Sequence, residues 1–178
     1  MLTDSPTLWE YSTHYYSNPA IASCCLTLQN QCRQDVNIIF LCYWHGTYHG
    51  EISFDKMSAI LSFSAEWHKI AIHPLRSART DLKVWTNQQD KIVLKKESYE
   101  SFRENIKTIE LEAEKIQQQS LMEFCLGGIV KDFESSSGSA SAARKANIKT
   151  LVSLQNQFDN LVTLEAEFEQ LAELLETY

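Results

Sequence analysis

Residues 35–50 read DVNIIFLCYWHGTYHG, and this stretch decides the fold. Apolar side chains run almost all round the helix predicted to begin after Asp35 and to reach about Trp44, a pattern typical of the centre of a core. Asp35 is the predicted N-cap, because a carboxylate is favoured beside the free N–H groups at a helix start. Gly46 and Gly50 are predicted to end the helix, since glycine readily adopts the left-handed C-cap conformation. We therefore expect a buried core helix with a capped end.

The residues before this helix predict two further helices. Ser5 followed by Pro6, and Asn18 followed by Pro19, each pair a capping side chain with a proline at the first helical position. After the core helix, another helix is expected to kink or to start afresh at Pro74, because proline lacks the N–H that a helix interior needs.

The second half of the chain predicts longer helices. A polar linker is expected at residues 85–91, and a serine- and glycine-rich flexible loop near 127–142. A last helix is predicted from about Leu151 to Tyr178, with apolar residues at steps of three and four. Between linker and loop, a heptad pattern typical of a helix packed along another helix is formed by Tyr99, Phe102, Ile106, Ile109, Ala113 and Ile116.

These patterns predict an all-α fold. We expect a compact N-terminal helical bundle over residues 1–92, followed by a long antiparallel helical hairpin over residues 93–178. The 178-residue chain is 44% hydrophobic and holds only five glycines and three prolines. This composition suits a protein with a real core and few turns, and it argues against a β-sandwich or barrel.

Charge and cysteine content narrow the functional classes. Residues 1–96 carry a net charge of +1 and residues 97–178 a net charge of −8, so broad nucleic-acid binding is not expected. Five cysteines, with no CxxC pair, suit reduced thiols of the cytoplasm better than a disulfide framework. Neither a signal peptide nor a membrane-spanning segment is predicted.

Cys42, His45 and His49 form one candidate site. Their spacing of three and four residues would align a thiolate and two imidazoles on a helix, the kind of donor set that transition metals prefer. The favoured alternative makes Cys42 a small core residue and puts both histidines on an exposed turn. No cofactor is predicted.

A basic strip forms the second candidate site, and we define it as Lys69, His73, Arg76, Arg79 and Lys83. These residues share one side if the helix continues past Pro74. The strip is predicted to bind an anion or an acidic protein surface, for which arginine offers two-pronged hydrogen bonds. The favoured alternative is that its arginines form internal salt bridges with the acidic second half, including Glu110, Glu112 and Glu114.

Eleven positions in the first half of the chain form one combined pattern: Trp9, Asp35, Val36, Asn37, Trp44, Gly46, Trp67, Pro74, Leu75, Arg76 and Arg79. This pattern resembles that of an uncharacterised bacterial family of small helical proteins, known only as a domain of unknown function. The resemblance covers roughly residues 8–120, and His45 and His49 are not part of the pattern. It implies an all-helical fold in a cytosolic bacterial protein and supplies no activity.

The sequence favours a non-enzymatic cytoplasmic protein that acts in protein interaction or assembly. A protein partner, or a second copy in a homodimer, would bind the apolar faces of the helical hairpin. A metal-binding protein or enzyme using Cys42, His45 and His49 is the alternative, and an RNA-associated factor using the basic strip is a weaker one.

Overall fold

The computed structural model describes residues 5–86, 95–127, 137–155 and 161–178. Within these ranges the chain forms α-helices and one π-helical segment and contains no strand, so the predicted all-α class is confirmed. None of these helices is long and apolar enough to cross a membrane. In chain order the elements are α1 (Leu8–Tyr16), α2 (Pro19–Asn30), α3 (Val36–Tyr48), α4 (Phe54–Trp67), the π segment (His68–Ile72), α5 (His73–Thr86), α6 (Lys96–Leu126), α7 (Ser137–Leu154) and α8 (Leu161–Thr177).

The chain divides into two compact units. Unit 1 comprises Met1–Leu61 and Gln118–Tyr178, and unit 2 comprises Ser62–Gln117, so α4 and α6 each contribute residues to both. The predicted boundary at residues 92–93 lies outside the described residues and stays a prediction. Of the predicted linker at 85–91, residues 85–86 belong to α5 and the remainder lies outside the described residues.

Helix α3 lies at the centre of unit 1, as its sequence predicts. Every residue from Asn37 to Gly46 is buried, and α3 packs against α1, α2 and α7. Asp35 caps the helix by accepting a 2.9 Å hydrogen bond from the Asn37 N–H. The cap satisfies a donor that would otherwise be left free at a buried helix start.

The caps of the first two helices show where a short sequence pattern misleads. Asn18 caps α2 with Pro19 at its first position, as predicted. Helix α1 is capped by Thr7 rather than by Ser5, because Glu10 lies three residues after Thr7 and completes a capping box. The helix therefore begins two residues later than the proline suggested.

Gly46 does not end α3, contrary to the prediction. The helix continues to Tyr48, and it is Gly50, with a φ of 86°, that takes the left-handed conformation after it. A Cβ atom on Gly46 would lie only 2.6 Å from the backbone nitrogen of Arg144 in α7. Glycine at position 46 thus permits the close crossing of α3 and α7.

Asn147 of α7 holds the turn that follows α3 by hydrogen bonds. Its side chain is fully buried, and its Oδ1 accepts a 2.7 Å hydrogen bond from the Ile52 N–H. Its Nδ2 donates to the carbonyl oxygens of Cys42 at 3.1 Å and Gly50 at 3.2 Å. One amide therefore satisfies three buried backbone groups, which would be costly to leave unpaired.

The C-terminal part of the chain differs from the predicted loop and single long helix. Residues 137–142, placed in the flexible loop by the sequence, form the start of α7, while 128–136 lie outside the described residues. Helix α7 packs on α3, and α8 packs on α2. The predicted hairpin between α6 and a last helix is not confirmed.

Unit 2 contains an antiparallel helical pair formed by α6 and the helical stretch that runs from α4 to α5. Hydrogen bonds join Ser64 to Gln117 and Leu82 to Tyr99, so residue numbers rise along one partner and fall along the other. The stretch continues through Pro74 because the π segment precedes it. A wider helical turn accommodates the missing proline N–H and the crowded carbonyl behind it.

Candidate functional site

The structure divides the basic strip into an inner and an outer set. Arg76 and Arg79 are partly buried and turn towards α6, whereas Lys69, His73 and Lys83 are exposed. The continuation of the helix past Pro74, on which the strip depended, is observed. Its five members nevertheless do not act as one set, because only the two arginines contact acidic groups of α6.

Glu110 is the centre of this ion-pair cluster. Its Oε2 accepts from Nε of Arg79 at 2.7 Å, and its Oε1 accepts from Nε of Arg76 at 3.0 Å and from Nη2 of Arg79 at 3.3 Å. Nη2 of Arg76 also donates to Oε1 of Glu114 at 2.9 Å. Such forked, charge-assisted contacts position two arginines and two carboxylates with little freedom.

The electrostatics of the cluster favour the ionised forms. Burial of Glu110, which is 5% exposed, raises the pKa of its carboxyl, but the hydrogen bonds from Arg79 and Arg76 outweigh this and hold the pKa below its usual value. The hydrogen bond to Glu110 raises the pKa of the Arg79 guanidinium. A buried carboxylate with two cationic partners is compensated rather than reactive.

This geometry is that of the internal salt-bridge alternative. Glu110 and Glu114 take part, while Glu112 is exposed on another side of α6. The arginine forks that a phosphate or acidic peptide would use are occupied by the chain's own carboxylates. Binding of an anion, an acidic protein or RNA by the strip stays a prediction.

Cys42, His45 and His49 lie where α3 ends in the core. Cys42 is fully buried, and burial raises the pKa of its thiol. His45, only 2% exposed, is buried too, so the expected exposed turn is wrong for this residue. The turn was expected because Gly46 was predicted to end the helix, and the helix instead carries His45 into the interior.

The hydrogen bonding of His45 defines its protonation. Its Nδ1 lies 2.9 Å from the carbonyl oxygen of Gly50, which only accepts, so Nδ1 carries the proton. Its Nε2 is buried and finds no hydrogen-bond partner among the described residues, and the same holds for Nε2 of His49. Burial lowers the pKa of His45 to about 4. The ring is therefore neutral at neutral pH.

A metal-ligating arrangement is not found around these side chains. Across the described ranges, no group of three or more His, Cys, Asp or Glu side chains is arranged to hold a metal ion. The rings of His45 and His49 lie 5.5 Å apart, centroid to centroid. Two neighbouring imidazoles next to a buried, protonated thiol are a donor set that transition metals rarely use alone.

The heptad pattern of α6 divides into two rows. Tyr99, Ile106 and Ala113 form the inner row, which packs within unit 2; the Tyr99 hydroxyl donates to Leu82 O, and Ala113 O accepts from Trp67. Ile106 and Ala113 are buried. The outer row is formed by Phe102, Ile109 and Ile116, which are 54%, 51% and 50% exposed.

A family model described as a protein of unknown function, DUF2390, matches residues 7–121, more than half of the chain. The chain belongs to this family. The match includes α1 to α5 and α6 as far as Leu121, and α7 and α8 lie outside it. No curated protein and no solved structure matches the chain.

Within the DUF2390 region, three of the residues that carried the resemblance make contacts between segments of the fold. The indole Nε1 of Trp44 donates to Pro6 O at 2.8 Å, and that of Trp67 donates to Ala113 O at 3.0 Å. Gly46 permits the crossing of α3 and α7. These positions stabilise the fold, and none of the three contacts requires a ligand.

Proposed function

We propose that this member of the DUF2390 family acts in protein interaction and binds another chain through the outer row of α6. The observation that carries this is the exposure of Phe102, Ile109 and Ile116, each about half accessible although all three are large and apolar. At 1.5 Å per residue the row extends about 21 Å along the helix. Aligned apolar side chains of this size are typical of a surface that another helix covers.

The surroundings of the outer row support this proposal. At helical spacing, the residues that flank it on the solvent side include the uncharged Ser101, Asn105 and Thr108, and Glu112 and Lys115 are the charged members of the same two positions. Elsewhere α6 is densely charged. Depletion of charge around exposed apolar residues distinguishes the core of a protein interface from ordinary surface.

A second copy of the chain is the partner that we propose. The outer row repeats every seven residues, which is the spacing by which two like helices pair along a common seam. The stripe of α8 does not offer the same surface, because Leu164, Phe168 and Leu171 are buried within unit 1. Helix α6 therefore takes the interface role that the sequence assigned to a hairpin.

The state of the cysteines supports a binding protein over a thiol enzyme. All five are free and buried, and burial raises the pKa of every one, to about 12 for Cys24 and Cys25 and about 11 for Cys125. A thiol nucleophile needs the opposite, a lowered pKa and access to substrate. Free thiols also support the cytoplasmic location that we propose for the protein.

Sedimentation velocity over a range of concentrations tests the proposed self-association. The unchanged protein should form dimers, and Ile109→Glu should weaken dimerisation at least about tenfold, because a buried unpaired charge is costly at a helix seam. Leu111→Glu is the matched control: Leu111 is an exposed apolar residue of α6 that lies off the outer row. A monomer at all concentrations, or equal effects of the two variants, would contradict the proposed dimer.

A further inference from the structure

Helices α7 and α8 of unit 1 flank a groove that also reaches Tyr43 of α3. It is a cavity of about 660 Å³ that is open to solvent. Apolar side chains form its floor: Tyr43 of α3, Ile148 and Val152 of α7, and Phe168 and Ala172 of α8. The volume lies within the range of natural binding clefts, which also combine an apolar floor with a few polar groups at the edge.

The two walls of this groove carry opposite charges. Helix α7 contributes Arg144, Lys145 and Lys149, and helix α8 contributes Glu169 and Glu176. Lys145 and Lys149 are exposed and one helical turn apart, so they point along the same wall. The groove therefore has a cationic side and an anionic side rather than one overall sign.

At one end of the groove, Arg144 and Ser141 of α7 contact Glu176 of α8, and the remaining charges differ in having no ion pair among the described side chains. Arg144 Nη2 donates to Glu176 Oε1 at 3.1 Å, and the Ser141 hydroxyl donates to the same oxygen at 3.4 Å. Lys145, Lys149 and Glu169 make no ion pair with any side chain that the structure describes. These three charged side chains flank the apolar floor and are exposed to solvent.

We propose that this groove binds an amphipathic helix of another protein, with acidic residues along one flank of its apolar face and basic residues along the other. The acidic flank would lie beside Lys145 and Lys149, and the basic flank beside Glu169. On α7 the lining runs from Ser141 to Ser153, about 18 Å, which accommodates roughly three helical turns. Helix-in-groove binding of this kind uses an apolar stripe for affinity and its flanks for specificity.

Charge complementarity selects this occupant over an anionic amphiphile. A long-chain carboxylate would satisfy Lys145 and Lys149 but would meet the carboxylate of Glu169 on the opposite wall. A helix with two differently charged flanks satisfies both walls at once. The same asymmetry defines the direction in which the helix lies, because reversing its N-to-C direction with the apolar face kept on the floor exchanges its flanks.

Binding of three designed peptides to the full-length protein, followed by fluorescence anisotropy, tests this site. The peptides share about 18 residues and one Leu/Ala apolar face, and their flanks are Glu on one side with Lys on the other, Glu on both, or Lys on both. The mixed-flank peptide should bind at least about threefold more tightly than the peptide with Glu on both flanks, because it gains one surface ion pair and loses a like-charge contact. It should bind at least about fivefold more tightly than the peptide with Lys on both flanks, because it gains two such pairs.

A charge-reversal variant tests the assignment of the walls. Lys145→Glu combined with Lys149→Glu makes both walls acidic, so the peptide with Lys on both flanks should become the tightest binder. Lys95→Glu combined with Lys96→Glu is the matched control, since these exposed residues of unit 2 lie outside the groove lining. This control should retain the preference for the mixed-flank peptide, and thermal melting should show that both double variants are folded.

Three results would overturn the inference. The first is that no peptide binds at about 1 mM, the weak end of specific affinity. The second is equal affinity for all three peptides, and the third is binding of dodecanoate in the groove without binding of the mixed-flank peptide. The site is independent of the proposed dimer. Ile109→Glu should bind the mixed-flank peptide as the unchanged protein does, so failure of the groove and failure of the outer row are distinguishable.

Discussion

At the scale of single residues, the imidazole of His45 is notable because it is both buried and incompletely hydrogen-bonded among the described residues. Its Nδ1 proton is used by Gly50 O, and its Nε2 has no hydrogen-bond partner within the described chain. Burial is the main cause that lowers its pKa, and the nearby His49 and Lys56 lower it further. Protonation would place an uncompensated charge in the core, and this would destabilise the folded state.

His45 should make the stability of the protein depend on pH. Its pKa is about 4 in the folded chain and 6.5 when unfolded, so the unfolded state binds more protons below pH 6.5. The stabilisation is therefore present above pH 6.5 and is lost as the pH falls towards 4. Urea unfolding should show a loss of about 2 kcal/mol between pH 7.5 and pH 5.

His45→Gln is the control for this loss, because an amide keeps a polar side chain at the site but does not titrate. The slope of stability against pH over the same interval should be clearly smaller in this variant. An unchanged slope would show that the pH dependence arises elsewhere, for instance at His49.

At the scale of secondary-structure elements, the crossing of α3 and α7 depends on one missing Cβ atom. Gly46 lies in the interior of α3, where alanine would ordinarily be preferred by up to about 1 kcal/mol. Here a Cβ would approach the Arg144 backbone nitrogen to 2.6 Å and its Cα to 2.7 Å, so α7 would have to move. Backbone cannot rotate away as a flexible side chain can.

Gly46→Ala should therefore destabilise the protein, by about 1–3 kcal/mol in chemical denaturation, since overpacking outweighs helix propensity. Gly138→Ala is the matched control within α7, because a Cβ there would meet no atom within 4 Å. That variant should be neutral or stabilised by up to about 1 kcal/mol. A stabilised Gly46→Ala protein would show that the two helices do not cross so closely.

The ion-pair cluster around Glu110 joins α5 to α6. Glu110→Gln keeps the shape of the side chain but removes the charge that two arginines share. It should lower the free energy of unfolding by about 1–3 kcal/mol, because Arg76 and Arg79 lose a largely buried partner.

Glu112→Gln provides the control for this variant, since Glu112 is exposed and lies on the same helix two residues away. Its effect should stay within about 0.5 kcal/mol, as for most surface substitutions. Equal stabilities of the two variants in urea unfolding would contradict a stabilising role for the cluster and would favour a ligand-binding role for its arginines.

At the scale of the whole molecule, the sequence predicts which segments are helical and which helix is most buried. The run of apolar residues after Asp35 predicts both α3 and its burial, because a helix that is apolar all round has no polar face that water could solvate. The heptad spacing likewise gives α6. These are local properties, determined by periodicity and capping within about ten residues.

Partner choice between helices was not predictable in the same way. The stripes of α6 and α8 both fit a two-helix hairpin, yet α8 packs on α2, and α6 uses one row to contact the helical stretch that contains Trp67. An apolar stripe specifies that a helix must be covered but not by which neighbour. Gly46 has the same ambiguity, since glycine both ends helices and permits close crossings.

The amino-acid sequence alone determined the all-helical class, the central position of α3 and the apolar repeat of α6. It also determined that Arg76 and Arg79 belong to one basic strip. Only the tertiary structure decided that Arg76 and Arg79 bind Glu110, that His45 is buried, and that Phe102, Ile109 and Ile116 stay exposed. The physical reason is the separation along the chain of the residues that interact. Hydrogen bonding within a helix is local, whereas burial and charge pairing depend on residues that lie far apart along the chain and meet only when it folds.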